Sequence, residues 1–383
     1  MNLEQKTYRN IFKETGKTDE QIRRKLEEAW NTFFVDEEER IYHEAGDDMG
    51  YLCDTGNNDA RTEGMSYGMM MCVQLDKKDE FDRIWKWAKT YMYMEDGDNE
   101  GYFAWSCETS GKKNAEGPAP DGEEFFAMAL FFASHRWGDG EGIFNYSAQA
   151  REILRACLHK GENGRPGHAM WNRDNKQILF VPGCPFTDPS YHLPHFYELF
   201  ALWADEEDRQ FWKEAADASR EYLKTACHEK TGLCSEYADF DGSPLDKELP
   251  WGYFGNYFSD AYRTAANIAI DAEWFGEDRG HLDVPLRQMK FFGTDIEAIR
   301  CVYAVDGTPV DKTVLHPLGL LATIAQGALA VPYSEEKDSD FEVAKQWVEW
   351  FWNQPMRKGE RRYYDNCLYM FALLALSGNY RIW

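Results

Sequence analysis

The chain has 383 residues and carries 67 Asp and Glu against 42 Lys and Arg, a formal net charge of −25. That acidity excludes a nucleic-acid binder, which needs a basic footprint to release counterions, and an anionic membrane surface would repel it. A hydrophobic share of 43% with 15% aromatic residues excludes disorder and points to a neutral ligand with flat apolar faces, for which a sugar fits.

Met1 to Lys6 has no apolar core of a signal peptide, and no run reaches the roughly 18 apolar residues of a membrane span. Nine cysteines are scattered singly without a Cys-x-x-Cys pair. Both features predict a cytoplasmic protein with buried thiols rather than a disulfide framework or a zinc site. Helical periodicity then recurs over 18–34, 61–76, 79–93, 121–136, 145–159, 188–204, 206–226, 256–274, 277–291, 313–330, 336–352 and 362–377. The odd members of this series are amphipathic: Phe81, Ile84, Trp85, Ala88 and Tyr91 share a face, with Asp82, Lys86 and Lys89 between them. The even members are apolar on all sides, as in 125–133 and 368–374, and a helix apolar all round is buried all round.

Six repeats of an exposed helix followed by a buried one predict an all-α (α/α)6 barrel, six inner helices wrapped by six outer ones, as a single domain over residues 1–383. A closed ring is favoured over an open solenoid because neither end carries a polar capping repeat. Short strands are expected near 178–181 or 301–305. The connections leading into buried helices are long, at 35–60, 94–120, 160–187, 227–255 and 292–312, while the return turns are short. One end of the ring is therefore elaborated, and long loops usually carry function.

The first turns of the buried helices bring acids to that end. Glu63 lies in Arg61-Thr62-Glu63-Gly64-Met65-Ser66-Tyr67, Asp121 follows Pro120, and Asp260 lies in Ser259-Asp260-Ala261-Tyr262-Arg263. Each acid alone has a plain explanation, because the helix dipole and capping favour carboxylates there. Three together are different, since clustered carboxylates repel and shift one another's pKa. Two carboxyl groups flanking a glycosidic bond are what its hydrolysis needs: one protonates the leaving oxygen and the other activates water. A third nearby raises the acid's pKa towards working pH.

The segments Arg61-Thr62-Glu63-Gly64-Met65-Ser66-Tyr67-Gly68-Met69, Asp188-Pro189-Ser190-Tyr191 and Ser259-Asp260-Ala261-Tyr262-Arg263 resemble those of glycoside hydrolase family 8 over most of the chain. The resemblance implies an inverting glycosidase on an (α/α)6 barrel, without cofactor or metal. It implies Glu63 as general acid, Asp260 as general base, Asp121 holding a distorted sugar and Tyr191 helping to place the water. Arg263 would orient the base, Trp105 would be a stacking platform, and Tyr67 of the core motif joins the substrate-binding set. The segment Val314-Leu315-His316-Pro317 resembles the loop of the reducing-end xylose-releasing exo-oligoxylanases, a cytoplasmic branch of the family. There such a loop closes the cleft one sugar beyond the cut, and His316 would read the terminal anomeric hydroxyl of a xylo-oligosaccharide. Without the resemblance, His316 reads as a histidine capping a helix before proline.

Two alternatives stand beside this reading. One is an endo-acting xylanase or glucanase of the same family. The other is a sugar epimerase on the same fold, whose chemistry would want paired histidines at the axis. A non-catalytic sugar binder has little use for three converging acids. His192 and His195 are spaced for metal but lack a third ligand, so packing among aromatics is expected. Asp54 to Asp59 only loosely resembles a calcium loop, and the acid runs at 36–39 and 205–208 read as solvated turns. Trp251, Tyr253, Phe254 and Tyr257 are equally readable as sugar platforms or as loop packing.

Overall fold

The computed structural model describes residues 6–276 and 280–383. Helices dominate. The first, α1 (Ile11–Glu14), is a single turn outside the predicted series; Asn10 caps it, and it seals Ile11 and Phe12 into the core. In α2 (Asp19–Trp30) the Thr18 side chain accepts from the Gln21 backbone while the Gln21 side chain accepts from the Thr18 N–H, a capping box. There follow α3 (Thr62–Gln74), α4 (Lys78–Trp87), α5 (Pro120–Trp137), α6 (Tyr146–His159), α7 (Pro194–Trp203), α8 (Arg209–Ala226), α9 (Tyr262–Phe275), α10 (Val284–Phe292), α11 (Pro317–Gln326), α12 (Asp340–Trp352) and α13 (Arg362–Leu376).

Their packing follows the alternation in the sequence. Helix α3 lies against α5, α5 against α7, α7 against α9, α9 against α11, α11 against α13, and α13 returns to α3. Each of these is covered by one amphipathic neighbour: α4 on α3, α6 on α5, α8 on α7, α10 on α9, α12 on α11 and α2 on α13. Burial matches this division. Every residue of α3 except Glu63 is buried, as is the whole of α5 from Pro120 to Ala133. In α12 only Phe341, Ala344, Trp347, Val348 and Phe351 are buried, one stripe at helical spacing.

The strands are short and decorate the connections. β1 (Tyr42–Ala45) and β2 (Met49–Leu52) form a hairpin, and β3 (Asp59–Arg61) pairs antiparallel with β4 (Ser106–Glu108). β5 (Glu248–Leu249) pairs with β6 (Gly252–Tyr253), while β7 (Asn256–Tyr257), β8 (Val302–Ala304) and β9 (Pro309–Val310) make a three-stranded sheet in that order. The β3–β4 pair leads directly into α3 and sets Arg61 opposite Ser106, next to Trp105.

Several boundaries differ from the sequence reading, each for a local reason. The predicted helix from 188 opens instead as a 3₁₀ turn at Pro189–Tyr191, and α7 starts only at Pro194, whose ring suits the first helical position. The predicted helix from 256 begins at Tyr262, because Asn256 and Tyr257 pair with Ala304 and Tyr303 as a strand. The predicted start at 277 falls on residues outside those described, and α10 begins at Val284. Of the two expected strands, 302–304 forms, while Ile178 makes only an isolated bridge to Trp171. Among the described residues no helix is long and apolar enough to cross a membrane.

Candidate active site

The starts of α3, α5 and α9 converge on one guanidinium. Arg263, buried in the first turn of α9, donates from Nη1 to Asp121 Oδ2 at 2.9 Å and to Glu63 Oε2 at 3.3 Å. Its Nη2 lies 3.3 Å from Asp260 Oδ1, and Nη1 also donates to the Tyr67 hydroxyl at 2.8 Å. Three acids from distant parts of the chain therefore share one counter-charge. Carboxylates on different nitrogens of one planar guanidinium, at these distances, have oxygens no more than about 9 Å apart.

Glu63 has a second partner that the sequence reading did not assign. The Tyr363 hydroxyl, from the start of α13, donates to Glu63 Oε1 at 3.0 Å. Gly64 makes that approach possible: a Cβ there would sit 2.4 Å from the Tyr363 oxygen and 2.7 Å from its ring. With both oxygens held and its side chain only 17% exposed, Glu63 loses most of its hydration. Burial therefore pushes its pKa up to about 7; Asp121 and Asp260 add to the rise, and Arg263 opposes it. Burial likewise raises Asp121, again against Arg263.

Asp260 lies outside the α-helix proper, in a 3₁₀ turn at Ser259–Ala261. Ser259 there has φ of +21°, sparsely populated for a residue with a side chain, and the Tyr364 hydroxyl donates to its carbonyl at 3.0 Å. Glu236, another unassigned residue, is a buried carboxyl near Asp260. Burial first, and the Asp260 charge next, hold it at about 9, so it is protonated at neutral pH. Tyr191 is positioned by its own motif: Asp188 accepts from the Ser190 N–H at 2.7 Å, and Asn267 donates to the Ser190 carbonyl at 2.9 Å. Its ring centroid lies 5.6 Å from the Arg263 guanidinium carbon.

Two cavities meet at Arg61, Glu63 and Asp260. The larger, about 550 Å³, is lined by Trp105, Asp121, Tyr191, Tyr237 and the exposed Trp251. Arg61 stacks 5.2 Å from the Trp105 ring centroid and is itself paired with Asp54 at 3.2 Å and Asp59 at 3.0 Å. The smaller, about 230 Å³, is lined by Leu315, His316, Arg361, Tyr363 and Tyr364. His316 occupies the N-cap position of α11 but makes no capping bond with its side chain. Its Nδ1 instead faces Asp365 Oδ2 at 3.2 Å, and its ring packs edge-on against Tyr364.

The family model for glycosyl hydrolases family 8 matches residues 28–378. The chain belongs to glycosyl hydrolase family 8. It is a glycosidase. A protein of Halalkalibacterium halodurans named reducing end xylose-releasing exo-oligoxylanase is 59% identical over 98% of this chain and 94% of its own. One of the same name from Bifidobacterium adolescentis is 53% identical over 97% of this chain and 96% of its own. The solved structure of Rex8A from Paenibacillus barcinonensis complexed with xylose superimposes with a TM-score of 0.93 at 54% identity, covering 98% of this chain and 97% of its own.

Other residues singled out in this family 8 chain have ordinary surroundings. His192 bonds Ser219 at 2.9 Å and Thr187 at 3.1 Å and stacks on Tyr222, while His195 packs against Phe196 and Trp274. Burial drives both down to about 3, so both are neutral. No group of three or more His, Cys, Asp or Glu among the described residues is arranged to hold a metal ion. Asp54 Oδ1 accepts from the Gly56 N–H at 2.9 Å, a turn rather than a cation loop. Among the loop aromatics, Tyr257 is buried and bonds Gln288, Phe254 stacks on Tyr237, and Trp251 alone lines the cleft.

Proposed function

We propose that this family 8 glycosidase releases xylose from the reducing end of short xylo-oligosaccharides, with inversion at the anomeric carbon. The observation that carries the reading is the unequal cleft: about 230 Å³ on the His316 side of Glu63 and Asp260, about 550 Å³ on the Trp105 side. The smaller side suits a single sugar beyond the cut and the larger side a longer stretch before it. The names of the relatives at 53–59% identity support the same substrate.

In this mechanism Asp260 takes a proton from water, whose oxygen attacks C1, while Glu63 gives its proton to the leaving glycosidic oxygen. The C1–O bond breaks, leaving xylose and a shortened chain with the opposite anomeric configuration. Inversion requires the two carboxyl groups to stand roughly 6.5–9.5 Å apart, leaving room for a water between base and sugar, whereas about 5 Å would mean retention. A Glu63 held at about 7 is protonated in about half of the molecules at neutral pH and in nearly all below pH about 6, and it releases the proton when the leaving oxygen becomes basic. Asp121, gripped by Arg263 at 2.9 Å, would hold a distorted sugar at the cut, and Tyr191 would help place the water. Arg263 orients Asp260, and Tyr67 in turn receives a hydrogen bond from Arg263 at 2.8 Å. Trp105 offers its face to a sugar before the cut, and His316 reads the terminal anomeric hydroxyl.

We further read residues 1–383 as one catalytic domain with the (α/α)6 architecture, supported by the return of α13 onto α3. A cytoplasmic setting fits nine free cysteines, seven of them buried. Proton NMR on xylotriose tests substrate, end and stereochemistry together. Free xylose, with α-configured xylobiose appearing first, is expected, and borohydride-reduced xylotriose should resist. Cleavage of the reduced trisaccharide at a similar rate would instead make the enzyme endo-acting, and deuterium uptake at carbon without cleavage would make it an epimerase.

A further inference from the structure

The small cavity owes its shape to side chains that do not line it. Asp365, fully buried in the first turn of α13, accepts from the Gly319 N–H at 2.6 Å through Oδ1. Its Oδ2 faces His316 Nδ1 at 3.2 Å and accepts a very short bond from Arg357 Nη1. The same Arg357 nitrogen donates to the Leu315 carbonyl at 2.6 Å. Arg357 is itself fixed, because Asn366 accepts from its N–H at 2.8 Å and donates to its carbonyl at 2.9 Å. Glycine at 319 lets the α11 backbone approach this cluster closely: a Cβ there would lie 2.9 Å from the tip of Leu368 and 3.4 Å from Asp365 Oδ1. Leu315, His316 and Gly319 are thus pinned to α13 by one carboxylate and one guanidinium.

The chemistry of that clamp sets what the cavity accepts. Both Asp365 oxygens already accept, Oδ1 from Gly319 and Oδ2 from Arg357, so the carboxyl stands as an acceptor and the imidazole nitrogen facing it carries the hydrogen. In the neutral ring the other nitrogen, Nε2, then presents a lone pair. Among the described residues Nε2 has no partner, and His316 lines the small cavity. We propose that Asp365, with Arg357, is the positioning residue for reducing-end recognition, holding His316 as a hydrogen-bond acceptor so that the cavity selects a sugar whose anomeric hydroxyl can donate. The proposal rests on the reducing-end reading above.

The matching substrates are xylotriose and its methyl β-glycoside, which keeps the ring but has no anomeric hydroxyl proton to donate. The quantity read is the ratio of kcat/KM for the two. In Asp365→Asn the amide NH₂ can donate to Nδ1, turning Nε2 from acceptor to donor, and the ratio should fall tenfold or more from that of the unaltered enzyme. Arg357→Ala, at a side chain 30% exposed, frees the Leu315 carbonyl and should lower it about threefold; it carries the test if Asp365→Asn does not fold. General damage to the fold slows both substrates alike and leaves the ratio unchanged. An unchanged ratio in these variants, with a preference in the unaltered enzyme, overturns the proposal alone. An unaltered enzyme without the preference overturns the reducing-end reading, and this proposal with it.

Discussion

Glu63, the proposed general acid, costs the fold stability, and the cost depends on pH in a calculable way. Its carboxyl titrates at about 7 in the folded protein against an ordinary 4.5. Between those values the native state holds a proton that the unfolded chain has released, so stability falls as pH rises through that window. At about 1.4 kcal/mol per pH unit, the interval amounts to about 3 kcal/mol lost between pH 4.5 and 7, and constant above. Glu63→Gln removes the titration while keeping the shape. Its stability relative to the unaltered protein should therefore improve by about 3 kcal/mol on going from pH 4.5 to 8, whatever the pH-independent effect of the swap. Urea unfolding followed by tryptophan fluorescence at pH 4.5, 6 and 8 measures the difference. A difference that stays flat over that range refutes a raised Glu63, and a difference that falls refutes the sign.

The same carboxyl should shape the kinetics: kcat/KM on xylotriose should decline above pH about 7, tenfold per unit, because Glu63 must be protonated to act. Asp260→Ala and Glu63→Ala should each lower kcat by about 10³-fold or more, and retention of near-normal turnover would reassign the roles. Gly64→Ala should destabilise by about 1–3 kcal/mol and lower activity, because the new methyl displaces Tyr363 from Glu63; thermal melting and initial rates read both. Trp105→Ala should raise KM about tenfold with kcat little altered, which steady-state kinetics on xylotetraose would show.

The parts of this molecule legible in the sequence were those with a repeating physical signal. An unbroken apolar stretch such as 368–374 can only be an interior helix, and the alternation with stripes such as Phe341, Ala344 and Trp347 gave the packing order. Glu63 stood out because its neighbours are small or aromatic and the apolar run Met69-Met70-Met71 follows it. What escaped was set by contacts between segments hundreds of positions apart. Nothing local marks Tyr363 as the partner of Glu63 or Asp365 as the holder of His316, since a Tyr-Tyr-Asp sequence opening a helix has many uses. The β1–β2 hairpin escaped because Tyr42-His43-Glu44-Ala45 lacks β-branched residues. Glu236 escaped because only its enclosure, invisible in a string of letters, makes it unusual.

The return of α13 onto α3 has a consequence for synthesis. Tyr363 meets Glu63, Tyr364 meets the turn that carries Asp260, and Asp365 meets His316, so one helical turn touches all three regions of the proposed site. A nascent chain in which α13 has not yet emerged has every carboxylate of the proposed mechanism and Arg263, but not Tyr363 to hold Glu63 or Asp365 to hold His316. Activity should thus appear only once α13 has emerged and docked on α3.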